Sequence, residues 1–231
     1  DTIAFFGNQT AQAADYDMIT DADANHSGAA WLQGSFTTGD VDGDAGQNLR
    51  GFDYNGYSIT GGIDAYRSKS GDFLAGGFFS WNQVDSDADG LAATDTNVDL
   101  YHGGIYTAVK PGNGFRVSAI TFVGTADFDT TRDTGGGTAR GDTDGLVLGG
   151  QIKALRDFTT QGISLSPFVS LRGATFDTDG FSETGTNPLH FDDQTTDRID
   201  TTIGIEVSTV IEEDILRVFG DPNSGLTRSG F

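Results

Sequence analysis

Cysteine is absent from the 231-residue chain. Stability therefore does not rest on disulfides, which suits a membrane barrel that closes through hydrogen bonds. No apolar run approaches the length that a spanning helix needs, so helical membrane proteins are excluded. Basic residues are scarce: 13 Lys and Arg against 34 Asp and Glu leave a formal net charge of −21. A phosphate backbone would be repelled, which removes nucleic acid as a partner, and the same charge disfavours docking on an anionic inner leaflet. The chain opens on Asp1 without a basic n-region or an apolar h-region, so an exported protein would be seen here in its processed form. Motifs of chemistry are missing as well. There is no helix-borne zinc motif, nucleophile elbow or phosphate-binding glycine loop, and the three histidines, His26, His102 and His190, are scattered. No catalytic residue is expected.

What the chain has instead is 34 glycines against four prolines and 17 phenylalanines against one methionine, a glycine-aromatic composition that points to β structure. The stretch Ile163–Val210 states the pattern. Ile163, Leu165, Pro167, Val169 and Leu171 alternate with Ser164, Ser166, Phe168, Ser170 and Arg172. After an acidic loop, Ile199, Thr201, Ile203, Ile205 and Val207 alternate with Asp200, Thr202, Gly204, Glu206 and Ser208. A period of two puts a branched apolar set on one face and small polar groups on the other. Lipid outside a barrel or the core of a soluble sandwich would each satisfy it.

Eight strands are legible: Trp31–Thr38, Tyr57–Arg67, Phe73–Asn82, Val98–Val109, Phe115–Phe128, Leu146–Leu155, Ile163–Phe176 and Ile199–Val210. Their connections alternate between long and short. Gly39–Gly56, Gln83–Asn97, Asp129–Gly145 and Asp177–Arg198 are long; Ser68–Asp72, Lys110–Gly114 and Arg156–Gly162 are short. Such alternation is the habit of an antiparallel up-and-down outer-membrane β-barrel, and a Greek-key sandwich has no reason to show it. The fold class is all-β. Phe73, Phe79 and Trp81 share one face of their strand, and Tyr57 and Tyr106 are placed on apolar faces, where aromatic residues form interfacial girdles. Ahead of the strands, Thr10 is placed to cap an acidic helix over Ala11–Ala24. The expected organisation is a helical segment at 1–28, a barrel at 29–210 and an atypical tail at 211–231, in which Glu212–Phe219 reads equally well as a short helix.

These motifs resemble a known family. AAWLQGSF after a helical segment, NGYSITGGIDAYRSKSGDFLAGGFFSW, DLYHGGIYTAVKPGNGFRVSA, and LSPFVSLRGATFDTDGFSETG followed by DRIDTTIGIEVS are similar to the translocator β-domain of autotransporters, the type V secreted proteins of Gram-negative bacteria. The resemblance implies a twelve-stranded barrel in outer-membrane lipid, its lumen threaded by the N-terminal helix. It also implies an upstream passenger delivered to the cell surface and a partnership with the outer-membrane assembly machinery. The departure is at the end, where only Ile211–Phe231 follows the eighth strand. Because an open edge in lipid is not tolerated, the chain is expected either to close at eight strands or to be incomplete. Small inward residues such as Ser58, Thr60, Gly76, Ser80 and Gly149 point to a wide or occupied lumen rather than a tight eight-stranded one.

Two candidate sites follow. Counted by alternation, Arg116, Lys153 and Arg172 face the lumen, where buried bases need partners. The helix supplies Asp15, Asp17, Asp21 and Asp23, and inward Asp64, Asp200 or Glu206 are the alternative partners. Second, Asp85, Asp87 and Asp89 followed by Gly90 match the first half of a calcium loop, but Thr96 stands where the bidentate acid belongs. Other cofactors are not implied. The leading function is a translocator and anchor; the alternatives are a small outer-membrane porin or adhesin and a barrel-borne hydrolase.

Overall fold

The computed structural model describes residues 30–41, 51–88, 94–160, 163–211, 214–221 and 224–229. The expected helix at Ala11–Ala24 lies outside the described residues. Ten strands follow one another in a single antiparallel meander: β1 (Ala30–Val41), β2 (Phe52–Arg67), β3 (Phe73–Ala88), β4 (Thr94–Gly112), β5 (Phe115–Asp133), β6 (Thr138–Arg156), β7 (Ile163–Thr178), β8 (Gln194–Ile211), β9 (Asp214–Asp221) and β10 (Ser224–Ser229). Each pairs with its neighbour in sequence. Among the described residues β1 and β10 form no ladder with each other, so the sheet is open along that seam.

Two expectations change. Among the described residues the meander has ten strands where eight were legible, because Asp214–Asp221 and Ser224–Ser229 join the sheet where a tail or short helix was expected. The strands also run further at one end. β4, β5 and β6 span 19 residues each, so much of Gln83–Asn97 and Asp129–Gly145 is ladder rather than loop. Acidic and small residues hid these extensions, since Asp and Gly are poor strand formers in isolation and are held there by pairing on both sides. At the other end the chain turns tightly. Asn113 at φ 55 and Gly114 at φ 77 take the left-handed conformation that a two-residue hairpin requires.

The faces are sharply different. Outward lie Leu32, Ile59, Ile105, Leu148, Ile199 and Ile203, between 52 and 79% exposed. Inward lie Ser58, Thr60, Asp64, Ser80, Asn82 and His102, none more than 4% exposed, beside an apolar cluster of Leu74, Phe78, Leu100, Ile120 and Phe122. A soluble sheet would invert this, exposing its polar face. Aromatic side chains bound the apolar band. Tyr57, Trp81 and Tyr101 stand toward the long-connection end, and Tyr66, Phe73, Phe115 and Phe158 toward the short-turn end. Phe73 and Trp81 are eight positions apart on β3, roughly 26 Å along an extended strand and about 20 Å in height at the usual barrel tilt, close to that of a membrane band.

Packing on the inner face pairs aromatic rings with glycines across the strands. Tyr106 lies over Gly76, Phe78 over Gly104, Phe122 over Gly149 and Phe168 over Gly204, each opposite its partner in the ladder. A Cβ at Gly76 or Gly104 would overlap both the ring and a neighbouring carbonyl oxygen. The small inward residues are thus partly sockets for inward rings. Tyr106 is among these rings and only 1% exposed, which corrects its assignment to a girdle. β4 is apolar on both faces, so alternation within that strand could not orient it.

Candidate functional site

The inner wall is the polar surface of the fold, and alternation on eight neighbouring strands builds it. Near the short-turn end of β2, Asp64 is fully buried and accepts from the Tyr106 hydroxyl at 2.6 Å and from Arg67 Nη2 at 3.1 Å. The Tyr106 oxygen in turn accepts from Trp31 Nε1 at 2.8 Å, so one network ties β1, β2 and β4. Higher on the wall, Thr60 and Ser80 share a hydrogen bond of 2.6 Å. Asn82 Nδ2 donates to Ser80 Oγ at 3.2 Å and lies 3.2 Å from His102 Nδ1. His102 itself packs between Phe78 and Phe122.

The three basic residues picked out by sequence are all on this wall, and each meets an acid. Arg116 donates to Asp157 through Nε and Nη2, both at 3.0 Å, and Ser166 Oγ donates to the same carboxylate. Lys153 pairs with Glu206, and Arg172 with Asp200 at 3.1 Å, where Arg198 Nε also donates at 2.8 Å. Glu206 and Asp200 were among the alternative partners. Asp157 was not, because it sits in the short connection after β6, where no strand periodicity assigns a face. The helix residues Asp15, Asp17, Asp21 and Asp23 lie outside the described residues.

At the mouth near the long connections, the segment after β7 folds back over the inner face of the β5–β6 hairpin. Thr184–Gly185 pairs with Ala139 and Arg140, and Phe181 lies over Gly141. Arg132, inward on β5, donates to Glu183 through Nε at 3.1 Å and through Nη2, and Leu189 N donates to the same carboxylate at 2.9 Å. The Arg132 hydrogen bonds hold the Glu183 carboxyl below its ordinary range, against the opposing effect of burial. Glu183 lies within Asp177–Arg198, one of the connections read as long, where no strand periodicity points to a partner.

The calcium residues are placed differently from the expectation of a loop. Asp85 and Asp87 stand on β3, with alternating backbone positions in an extended ladder, and Asp85 accepts from Asn97 Nδ2. Asp89 lies outside the described residues. Among the described residues no group of three or more His, Cys, Asp or Glu could hold a metal. On the outer wall above the aromatic row, Asp127 faces Asp99 and Asp144 in the ladders. Desolvation, a hydrogen bond with Asp144 and the charges of Asp144, Asp99 and Asp129 raise its carboxyl.

Comparison with known proteins bears on this arrangement. The profile of a family described as Autotransporter beta-domain matches residues 30–223. Among solved structures, the chain is similar to the translocator domain of the autotransporter NalP from Neisseria meningitidis. That match has 15% identity and a TM-score of 0.72, and covers 93% of this chain and 75% of the other. It is also similar to the beta domain of the Bordetella autotransporter BrkA, at 18% identity and a TM-score of 0.65, covering 84% of this chain and 77% of the other. No curated protein matches the chain significantly.

Proposed function

This chain belongs to the autotransporter β-domain family and is an outer-membrane translocator and anchor barrel, from which we propose that its cargo is a covalently linked passenger upstream, delivered to the surface of a Gram-negative cell without a chemical step. The observation that carries this reading is the inverted sheet: an exposed apolar outer wall bounded by aromatic rows, and an inner wall of ion pairs and hydroxyls. The first suits lipid and the second suits a polar chain passing through or resting inside. Partnership with the outer-membrane assembly machinery is part of the same proposal.

The long connections face outward and both ends of 30–210 face the periplasm in this reading. The mouth formed by the Arg132–Glu183 contact is then extracellular. The segment at 1–28 acts as a plug in this proposal; since Asp157, Glu206 and Asp200 already balance Arg116, Lys153 and Arg172, its Asp15, Asp17, Asp21 and Asp23 are not needed as charge partners of that wall. Single-channel conductance in planar bilayers tests it. A chain starting at Gly28 is expected to show a larger or newly open pore than the full chain. Equal conductance would end the plug and favour a small porin. Orientation is read separately, from an impermeant reagent on intact cells: cysteines placed at Gln83–Asn97 are labelled and those at Ser68–Asp72 are not.

A further inference from the structure

Arg156 ends β6 on the outer wall at the short-turn end, level with the lower aromatic row. Its guanidinium carbon lies 5.0 Å from the centroid of the Phe115 ring and 4.8 Å from that of Phe158. Phe115 is its direct partner in the ladder, and Phe158 opens the short strand Phe158–Thr160 that pairs with the start of β7. Both rings are exposed, at 43 and 48%. The neighbouring acid does not serve it. Asp157 points to the opposite face, where Arg116 and Ser166 occupy its oxygens. Among the described residues Arg156 forms no ion pair. A cation held by two aromatic faces keeps its N–H edge free for an anion.

The surroundings select the anion. Lys69, Lys110 and Arg156 stand at this end against the turn carboxylate of Asp72, while Arg67 and Arg116 are paired with Asp64 and Asp157. The local charge is thus opposite in sign to that of the whole chain. Immediately toward the membrane interior the outer wall presents Ile152, Val169 and Leu171, between 46 and 57% exposed. An anionic headgroup at the level of the rings with apolar tails beside these residues is the chemistry of a phospholipid.

We propose that Arg156, Phe115 and Phe158 form a binding site for the phosphate of an anionic glycerophospholipid in the leaflet at the short-turn end. The site rests on the membrane reading above. Arginine suits it because its planar fork can donate two hydrogen bonds to one phosphate while its faces remain on the rings. Arg140, exposed on the same face of β6 at the other end, has no ring on either side and serves as the comparison.

The test inserts the full chain into vesicles of equal phosphatidylglycerol and phosphatidylcholine, then reads co-purified lipid by native mass spectrometry. The unaltered chain is expected to retain phosphatidylglycerol preferentially, and Arg156→Ala to lower that retention about tenfold. Arg140→Ala is expected to leave it unchanged. Replacing Phe115 and Phe158 together by leucine keeps the charge and the greasy surface, and is expected to lower retention severalfold. Retention by Arg156→Ala equal to that of the unaltered chain would overturn the site. Displacement of the lipid by millimolar inorganic phosphate would also overturn it, showing a soluble-anion site instead. If the unaltered chain fails to insert, as judged by heat-modifiable mobility, the translocator reading falls and the site with it.

Discussion

The outer and inner walls of this sheet are made by the same strands, one residue apart, yet they are stabilised in opposite ways. On the outer wall, Ile203 is 74% exposed and Ile199 78%, with no polar side-chain partner to satisfy. Their energetic merit depends wholly on the solvent being hydrocarbon. On the inner wall, Asp64 and Ser80 are fully buried and each is held by named hydrogen bonds. There the merit lies in pairing, because an unpaired polar group in a confined space is costly. One wall is therefore tolerant in shape and strict about charge, and the other tolerates charge only in matched geometry.

The sharpest way to break the inner wall is to remove one partner. Asp64→Ala leaves the Tyr106 hydroxyl and Arg67 without the carboxylate that gathers them, and is expected to cost about 3–5 kcal/mol in denaturant unfolding from vesicles. A cost near zero would mean that the buried network contributes little. Next in size is a charge on the outer wall. Ile203→Arg, near mid-height, is expected to cost about 2–4 kcal/mol in lipid. The same change in a detergent-free soluble protein would be harmless at so exposed a site, so an unaltered stability would refute the lipid assignment of this face. Third comes the contact between rings and glycines. Gly104→Ala places a methyl against Thr121 O and the Phe78 ring, with an expected loss of about 1–3 kcal/mol, whereas Gly71→Ala has nothing near it apart from its own strained φ of 73.

Acid sharpens the contrast at the mouth. Glu183 has its folded pKa depressed by Arg132, so its contribution is present above the ordinary glutamate range and is lost as pH falls through the folded value. Asp127, raised by desolvation and by crowding with Asp144, behaves the other way: its ionisation opposes folding as pH rises. Amide protection factors in the 179–193 segment, corrected for intrinsic exchange, are expected to fall on acidification below the usual carboxylate range, and Asp127→Asn to stabilise slightly at neutral pH. Reversal of either sign would show that these contacts are absent in solution. The smallest effect expected is that of calcium. Asp85 is bonded to Asn97 and stands with Asp87 on an extended strand, so no rise in melting temperature is anticipated. A rise abolished by Asp87→Ala would restore a metal site there.

Much of the wall was readable before the fold. Arg116, Lys153 and Arg172 were assigned inward from a period of two, and Asp200 and Glu206 were recognised as acids on the same side. Other parts were not. Tyr106 was assigned to the lipid because β4 carries apolar residues at both parities. Asp157 went unrecognised because it lies beyond a strand end, and the 19-residue reach of β4 to β6 was obscured by glycines and aspartates whose extended state depends on neighbours.

Sequence by itself determined that the chain is made of strands, that each has an apolar and a small polar face, and that their connections favour an up-and-down order. These are properties of local alternation, which the pleat of a strand converts directly into sides. Only the tertiary structure decided which acid meets which base, which ring covers which glycine, and that Arg156 and Asp157 part to opposite walls. Such pairings are set by register between strands far apart in the chain, and register is a cooperative property of the whole sheet rather than of any one segment.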